Sequence, residues 1–347
     1  MLKPQIRKIQ LTGGTTYTIS LPKEWANQVK IKPQQQVALI PQAGLSLLLI
    51  PKERVERIVK ETLVEYRSLV DKDVIVRDFI SHYLAGYDVI RVKFEKLNIE
   101  IKTFLKDLLR KKIVGVEIVE ESSEELVAQC LPAYFELPFK RVLNRMAIIV
   151  SSMHKDAIIS FKNQNHDLAR DVIDRDDEVD RFYLFSIKQL KIAVMDRTMI
   201  ESIGLKSAVE CLGYRIIAKS IERIGDHATR IARSTLNLKE KPDENSIDQI
   251  LKISDLAKEV YDKSLNALNK FDSKIAHENI IKASYVVKAE EESTQKIFES
   301  KQSTRTIVEL KLILESLKRI AVYSADISEV TLNMIVATKA KENRTYL

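Results

Sequence analysis

Two pairs of carboxylates in the second half of the 347-residue chain have a spacing that can bind a cation. Glu222 and Asp226, in the stretch IERIGDHATRIAR, are one helical turn apart, and Asp176 and Asp180, in VIDRDDEVDRFY, repeat that spacing. Like charges at positions i and i+4 of a helix repel by roughly a few tenths of a kcal/mol unless a cation lies beside them. Hard oxygen ligands suit iron, manganese, magnesium or calcium. The sequence therefore indicates a cation site if the two helices are neighbours; the alternative is that a nearby Arg or Lys neutralises each pair.

The two pairs are predicted to differ in exposure. Asp176 falls within the apolar face of its helix, and Asp180 lies at the edge of that face. The apolar stripe of the second helix points away from Glu222 and Asp226, so this pair is predicted on the outer side of a helical bundle, with any metal at an exposed site. The two faces consist of Val172, Val179, Tyr183, Ile187 and Leu190 on the first helix and Ile217, Ile221, Ile224 and Ala228 on the second.

The distribution of prolines predicts two blocks of long helices. Seven of the eight prolines precede residue 139, and only Pro242 follows. Because proline breaks helix interiors, its absence from 139–241 and 243–347 permits about three helices in each block. The polar stretch KEKPDENS is predicted as the loop between the blocks, and about Ser303–Lys341 as a final core helix.

The N-terminal segment carries almost all of the net positive charge. Residues 1–52 contain seven basic side chains against Glu24 alone, a net charge of +6 out of a formal +7 for the chain. A basic module on a nearly neutral body suggests contact with a polyanion, most simply the phosphates of double-stranded DNA.

The pattern of this segment predicts a small β module. Alternating residues in TTYTISL predict a strand after a Gly13-Gly14 turn, and Pro22 is predicted to open a short helix. A second pair of strands is predicted at 37–40 and 45–50. So few short elements cannot bury much apolar surface, so the module needs a partner, which a strand-exchanged dimer would supply.

Residues 53–137 are predicted to form a small α/β connector. Helices are expected at 53–69 and 78–85, the latter ending at Gly86. The stretches DVIRVKFE and IVGVEIVE read as strands on either side of a helix at 99–112. His82 stands alone and is interpreted as a satisfied histidine rather than a catalytic one.

Composition and missing motifs argue against several classes of protein. No run approaches a membrane span, the N-terminus lacks the apolar core of a signal peptide, and a cytoplasmic protein is expected. Cys130 and Cys211 are interpreted as buried, unpaired residues. None of the five histidines follows a Glu by three residues, as di-iron helical bundles require, and no phosphate-binding loop or nucleophile motif occurs. We expect a protein that is not an enzyme.

Residues 1 to about 52 resemble the SpoVT/AbrB swapped-hairpin DNA-binding family, in the order strand, GG, strand, LPKEW and IKP. The family usually has Gly-Asp after Lys-Pro, where this chain has Gln34-Gln35, a change that affects one turn. The resemblance implies a homodimer that binds DNA through its basic residues. The matching basic positions are Lys3, Arg7, Lys8 and Lys23.

Residues of about 139–340 resemble the PhoU family, through VIDRDDEVDRFY followed some forty residues later by IERIGDHATRIA. The resemblance implies tandem three-helix bundles, a role as a phosphate-uptake regulator, and metal binding by exposed acidic motifs. The second block departs from that chemistry: Glu290 and Thr294 stand in place of the first acidic pair, and Lys318 and Val322 in place of the second. The implied metal ligands are Asp176, Asp180, Glu222 and Asp226, with His227 beside the last.

The sequence thus predicts a mainly α protein: tandem three-helix PhoU-like bundles, preceded by a small swapped-hairpin β domain and an α/β connector. The predicted domains are 1–52, 53–137, 138–241 and 242–347. The expected function is a homodimeric, DNA-binding transcriptional regulator of phosphate homeostasis that holds iron, manganese, magnesium or zinc. One alternative is an adaptor that docks on a phosphate ABC transporter without binding DNA. Another, less favoured, is a metal-dependent enzyme built on a carboxylate bundle.

Overall fold

The protein is described from a computed structural model that covers residues 3–42, 46–51, 59–66, 71–94, 99–131, 137–195 and 198–342. The chain forms two compact units, Met1–Val59 and Lys60–Leu347. It is mainly helical, with short sheets near the N-terminus, which confirms the predicted fold class. The four-part division of the chain stays a prediction.

The described residues of the N-terminal unit form two antiparallel hairpins and one short helix. Strands β1 (Gln10–Thr12) and β2 (Thr16–Thr18) pair across Gly13 and Gly14. Both glycines have positive φ, at 62° and 76°, in the left-handed region that favours glycine, within the three-residue loop between the paired Thr12 and Thr16. Helix α1 (Lys23–Gln28) begins one residue after Pro22, and strands β3 (Val37–Gln42) and β4 (Ser46–Pro51) follow. The strands lie close to their predicted positions; residues 43–45 fall outside the described residues.

Gln34 and Gln35 form the turn after Lys32-Pro33. Gln34 adopts φ 68°, in the left-handed region that favours glycine. The side-chain oxygen of Gln35 accepts a hydrogen bond from the Lys32 backbone N–H at 3.0 Å, which closes the turn. The chain therefore makes this turn with a residue that is strained there by about 1 kcal/mol relative to glycine.

No described residue of this unit is buried. Ile6 is 97% exposed and Tyr17 is 77% exposed, and Leu11 of β1, Leu39 of β3 and Leu47 of β4 are also exposed. A unit that leaves its apolar side chains in water gains little stability from burial within one chain. This agrees with the expectation that it needs a partner, while the strand-exchanged dimer itself stays a prediction.

The second unit begins with a four-stranded sheet covered on one face by two helices. Its elements are β5 (Glu61–Tyr66), α2 (Lys72–Ala85), β6 (Val89–Phe94), α3 (Ile99–Lys112), β7 (Val116–Glu121) and β8 (Glu125–Cys130). The strand order is β5-β6-β8-β7, with β5 parallel to β6 and the other pairs antiparallel. Helix α2 ends at Gly86, with φ 86°, as predicted.

The predicted helix over residues 53–69 is wrong where it can be compared. Residues 61–66 form strand β5, because Val64 and Tyr66 alternate with polar residues and pack against the core of this sheet. The remainder, residues 53–58 and 67–69, lies outside the described residues. Helix α2 is also longer than predicted, because the side chain of Asp71 caps it at its first turn.

From residue 137 onward, the described residues form six long helices and one short one. They are α4 (Phe139–Asn163), α5 (His166–Met195), the short α6 (Thr198–Ser202), α7 (Ala208–Asn237), α8 (Glu244–Lys270), α9 (Ser273–Phe298) and α10 (Thr304–Glu342). Helices α4, α5 and α7 pack together, as do α8, α9 and α10, and α7 also packs along α10. A single apolar core runs through both sets, and the buried Tyr261 hydroxyl ties α8 to α4 by donating to the Ala147 carbonyl at 3.0 Å.

Gly225 explains the close approach of α7 to its neighbours. A Cβ atom at this position would lie 3.3 Å from Val150 Cγ2 on α4 and 3.5 Å from Val179 Cγ1 on α5. Glycine normally weakens a helix interior by about 1 kcal/mol relative to alanine. Its presence here lets the carboxylate-bearing parts of α5 and α7 come together.

Helix α10 is long and apolar enough, by length and composition, to cross a membrane over Thr304–Thr338. Half of its most apolar window is buried inside the protein, against α7, α8 and α9. We interpret it as a core helix, as predicted for this segment. Cys130 and Cys211 are buried and unpaired, and His82 Nδ1 donates to the Asp78 carbonyl at 2.8 Å, as also predicted.

Candidate functional site

The four carboxylates that the sequence singled out lie on adjacent helices, Asp176 and Asp180 on α5 and Glu222 and Asp226 on α7. The prediction that the α7 pair lies on the outer side is wrong. Glu222 is only 8% exposed, and Asp226 is half-buried. The error has a physical cause: α7 packs against α4, α5 and α10, so its exposed face is a narrow stripe that includes Arg223 and Arg230 and leaves Glu222 buried.

Two of the four carboxylates are paired with lysines. Lys219, one turn before Glu222 on α7, donates to Glu222 Oε1 at 2.6 Å. Lys112, the last residue of α3, lies 2.9 Å from Asp177 Oδ1 and 3.7 Å from Asp180 Oδ2. The site therefore contains a counter-ion from its own bundle and another from the α/β part of the same unit.

Asp176 and Asp226 form no ion pair within the described part of the chain, and their protonation reflects this. Burial, followed by the negative charges of Asp180 and Asp226, raises the pKa of Asp176 to about 6. Burial, followed by the charge of Glu222, raises the pKa of Asp226 to about 6. The cluster thus holds more negative charge than its lysines and more distant arginines neutralise.

The donor set suits a hard cation in its chemistry. All four side chains offer carboxylate oxygens, two from each helix, and carry an excess of negative charge. Among the residues that the structure describes, however, no three His, Cys, Asp or Glu side chains are arranged as ligands. Metal binding therefore stays a prediction, and a bound ion would compete with the lysines for Asp180 and Glu222.

The raised pKa values predict that the site destabilises the metal-free protein at neutral pH. A carboxyl group whose folded-state pKa is raised contributes stability below its unfolded pKa and loses it as pH rises to the folded value. We expect Asp226→Asn, which mimics the neutral group, to increase the free energy of unfolding at pH 8 by on the order of 1 kcal/mol. Urea unfolding in the presence of a chelator measures this gain.

The same comparison at pH 4 is the internal control, because Asp226 is already protonated there in the folded protein. The gain should shrink towards zero at that pH. Asp174→Asn, an exposed substitution on α5, should change stability little at either pH. A gain from Asp226→Asn that is equal at pH 4 and pH 8 would contradict this account.

In the second set of helices, lysines neutralise the buried carboxylate that corresponds to the first acidic pair. Glu290 on α9 is 1% exposed; Lys311 on α10 donates to its Oε1, and Lys318 lies 3.1 Å from its Oε2. Thr294 adds a hydrogen bond at 2.9 Å. Burial raises the pKa of Glu290, but these three hydrogen bonds outweigh it, so the pKa lies below its usual value. Lysines of the protein itself therefore neutralise this acidic group, in line with the sequence departure from the metal-binding pattern.

The basic residues predicted to contact DNA all belong to the N-terminal unit and are exposed. Arg7 donates to Gln5 Oε1 at 2.6 Å, and Lys23 begins α1. Within the described residues, none of the four forms an ion pair with an acidic side chain. They are Lys3, Arg7, Lys8 and Lys23.

The alternative that a nearby Arg or Lys neutralises each acidic pair holds in part, because one carboxylate of each pair lies beside a lysine, but the sequence did not identify either lysine. Lys219 had a visible signal, because it lies three residues before Glu222 and so on the same helical face. Lys112 had none, because it reaches the cluster from a helix 64 or more residues away in the chain. Only the docking of α3 on α5 places it there.

Comparison with known families finds a match within the first set of long helices. Residues 143–235, which include all four carboxylates of the cluster, match the family model described as the PhoU domain. This part of the chain is therefore a PhoU-like helical domain.

The relatives that match this chain in sequence are also named as PhoU homologs. Over 102 residues the chain is 28% identical to each of two proteins named phosphate-specific transport system accessory protein PhoU homolog, from Xylella fastidiosa strains Temecula1 and 9a5c. These matches span 29% of this chain and 40% of each relative's length. The crystal structure of PhoU from Pseudomonas aeruginosa has the same fold over 57% of this chain and 96% of its own, with 18% identity and a TM-score of 0.52. The names describe accessory proteins rather than enzymes.

Proposed function

We propose that this protein is a cytoplasmic regulator of phosphate uptake and homeostasis that binds DNA as a homodimer. The observation that carries the proposal is the PhoU-domain match over residues 143–235, which contains the whole carboxylate cluster. In this proposal the helical unit senses or relays phosphate status, and the N-terminal unit reads DNA. Two N-terminal units on one dimer would bind as a linked pair, whose strength depends on their spacing.

Two features of the N-terminal unit support its role as the DNA-binding part. It carries a net charge of +6 over residues 1–52, and its four candidate contacts are exposed. Many of its apolar side chains, such as Ile6 and Tyr17, are also exposed in a single chain, so pairing with a second copy by exchange of hairpins would cover them. The unit therefore has the exposed positive charge that sequence-independent binding to DNA phosphates requires.

The DNA-binding proposal is tested on the full chain. Fluorescence anisotropy with duplex DNA from upstream of the protein's own gene should show binding that weakens steeply between 50 and 200 mM salt. Light scattering on the same sample should give the mass of a dimer. A chain that is monomeric and indifferent to DNA at low salt would overturn the proposal.

We also propose that Asp176, Asp180, Glu222 and Asp226 hold a divalent or trivalent cation such as iron, manganese, magnesium or zinc. Two carboxylates on each of two packed helices supply oxygen ligands, and the ion would replace protons and lysines as the neutralising charge. Purified protein should contain metal by elemental analysis after dialysis, and Asp176→Ala/Glu222→Ala should lose most of it.

A matched control separates loss of ligands from loss of charge. Asp174→Ala/Asp248→Ala removes the same number of negative charges from exposed positions on α5 and α8. It should retain the wild-type metal content. Equal metal content in both double variants would remove the proposed metal site.

The second candidate is an adaptor that docks on a phosphate ABC transporter without binding DNA. The relatives' name, which places them in a phosphate-specific transport system, favours it. The DNA titration discriminates between the two, because an adaptor would show no salt-sensitive binding to duplex DNA and would instead copurify with transporter subunits.

A further inference from the structure

Helix α5 supports two different parts of the unit along its length. One of its edges faces α7 and carries the carboxylate cluster. Another contacts the α/β part: Lys112 of α3 meets Asp177 and Asp180, and Leu184 packs against the core of the sheet. Further along, the buried Lys188 lies 3.9 Å above the ring of Tyr83 on α2.

Asp180 belongs to both edges. Its negative charge acts on Asp176, Glu222 and Asp226, so it is electrostatically part of the cluster. It also lies 3.7 Å from the Lys112 ammonium group. Lys112 in turn is attracted by Asp177, Asp180 and Asp176, which places its positive charge at the rim of the cluster.

We propose that Lys112 is a tethered counter-ion, which makes cation binding at the carboxylate cluster and docking of the end of α3 on α5 oppose each other. The inference rests on the proposed cation site. When a metal ion binds Asp180, its charge repels the nearby ammonium group and takes up one of the two carboxylates that attract it. The last turn of α3, which carries Lys112, then keeps only the contact with Asp177, and its attachment to α5 weakens.

The coupling must be reciprocal, because both events draw on the same free energy. If metal binding weakens the docking of α3 on α5, then the docked α3 must weaken metal binding. Removing the charge of Lys112 should therefore increase metal affinity, although Lys112 is not itself a ligand. This predicts that a substitution in one structural element improves binding at a site formed by two others.

The first test is a calorimetric titration of metal-free full-length protein with Mn²⁺ alone. We expect Lys112→Met to bind Mn²⁺ about fivefold more tightly than wild type, a coupling at the lower end of the usual range. Lys112→Arg, which keeps the charge, should bind like wild type. Lys111→Met removes the same charge from the exposed neighbouring position on α3 and should also bind like wild type.

The second readout distinguishes a tethered contact from a diffuse charge effect. Hydrogen exchange of the amides of residues 109–112 should become faster when Mn²⁺ is added to wild type. In Lys112→Met the exchange should already be fast and should not respond to Mn²⁺.

The outcomes separate the inference from the site on which it rests. If Mn²⁺ binds wild type and Lys112→Met equally, or if exchange at 109–112 ignores the ion, the linkage is wrong while the cation site stands. If the ion binds Lys111→Met as tightly as Lys112→Met, the effect is general electrostatics and the linkage is again wrong. If no variant binds Mn²⁺, both the linkage and the proposed site fail.

Discussion

The double variant Arg7→Ala/Lys8→Ala should bind duplex DNA on the order of 10²-fold more weakly than wild type at 0.1 M salt. Each phosphate that a basic side chain neutralises contributes about 0.9 to the slope of log affinity against log salt. A homodimer loses two such side chains from each of two N-terminal units, so the slope should fall by about 3.6. The measurement is fluorescence anisotropy with the same DNA at several salt concentrations.

The control for this variant removes two basic charges from another exposed surface. Arg110→Ala/Lys111→Ala lies in the last turn of α3, outside the N-terminal unit, and should keep both the affinity and the salt slope. Light scattering should show that both variants remain dimers. An unchanged slope in Arg7→Ala/Lys8→Ala would mean that these two side chains do not contact the phosphates, and would contradict the assignment of the DNA-binding surface.

The double variant Lys311→Met/Lys318→Met should lose about 3–5 kcal/mol of stability at pH 7, because it leaves a buried carboxylate without its cations. Glu290 is 1% exposed, and only Thr294 would still donate to it. Urea unfolding monitored by circular dichroism measures the loss. Lys252→Met/Lys296→Met, at exposed positions on α8 and α9, should have little effect.

The pH dependence of this loss has a defined sign. The pKa of Glu290 is lowered in the folded wild-type protein, so its ion pairs contribute stability above the normal carboxyl range and lose it as pH falls below that range. The difference between wild type and the double variant should therefore be large at pH 7 and small near pH 3. Adding Glu290→Gln to the double variant should restore part of the stability at pH 7. A deficit that does not change with pH would indicate lost packing instead.

The long helices were predictable because their signals are local and repeated. Prolines bracket the helical blocks, and the predicted helix at 99–112 and the final helix at about 303–341 match α3 and α10 closely. Short strands gave weaker signals. Residues 61–66 carry only a brief alternation, and what makes them a strand is pairing with β6, which is far along the chain.

The composition of the carboxylate cluster could be predicted, but its surroundings could not. Spacing alone paired Asp176 with Asp180 and Glu222 with Asp226. The burial of Glu222 depends on how many helices surround α7, a property of the assembled fold. The contribution of Lys112 likewise depends on the docking of α3, which no pattern around the cluster records.

One apolar core runs from α4 to α10, so binding of an ion at the carboxylate cluster can stabilise helices that do not contact the ion. Because these helices share one interior, which the Tyr261 hydrogen bond also links across the two sets, we expect them to unfold as one cooperative unit. An ion that binds only the folded protein would therefore protect amides of α9, which packs on α8 and α10, as well as those beside the ion. Protection of α9 would then report occupancy of the cluster from within the second set of helices.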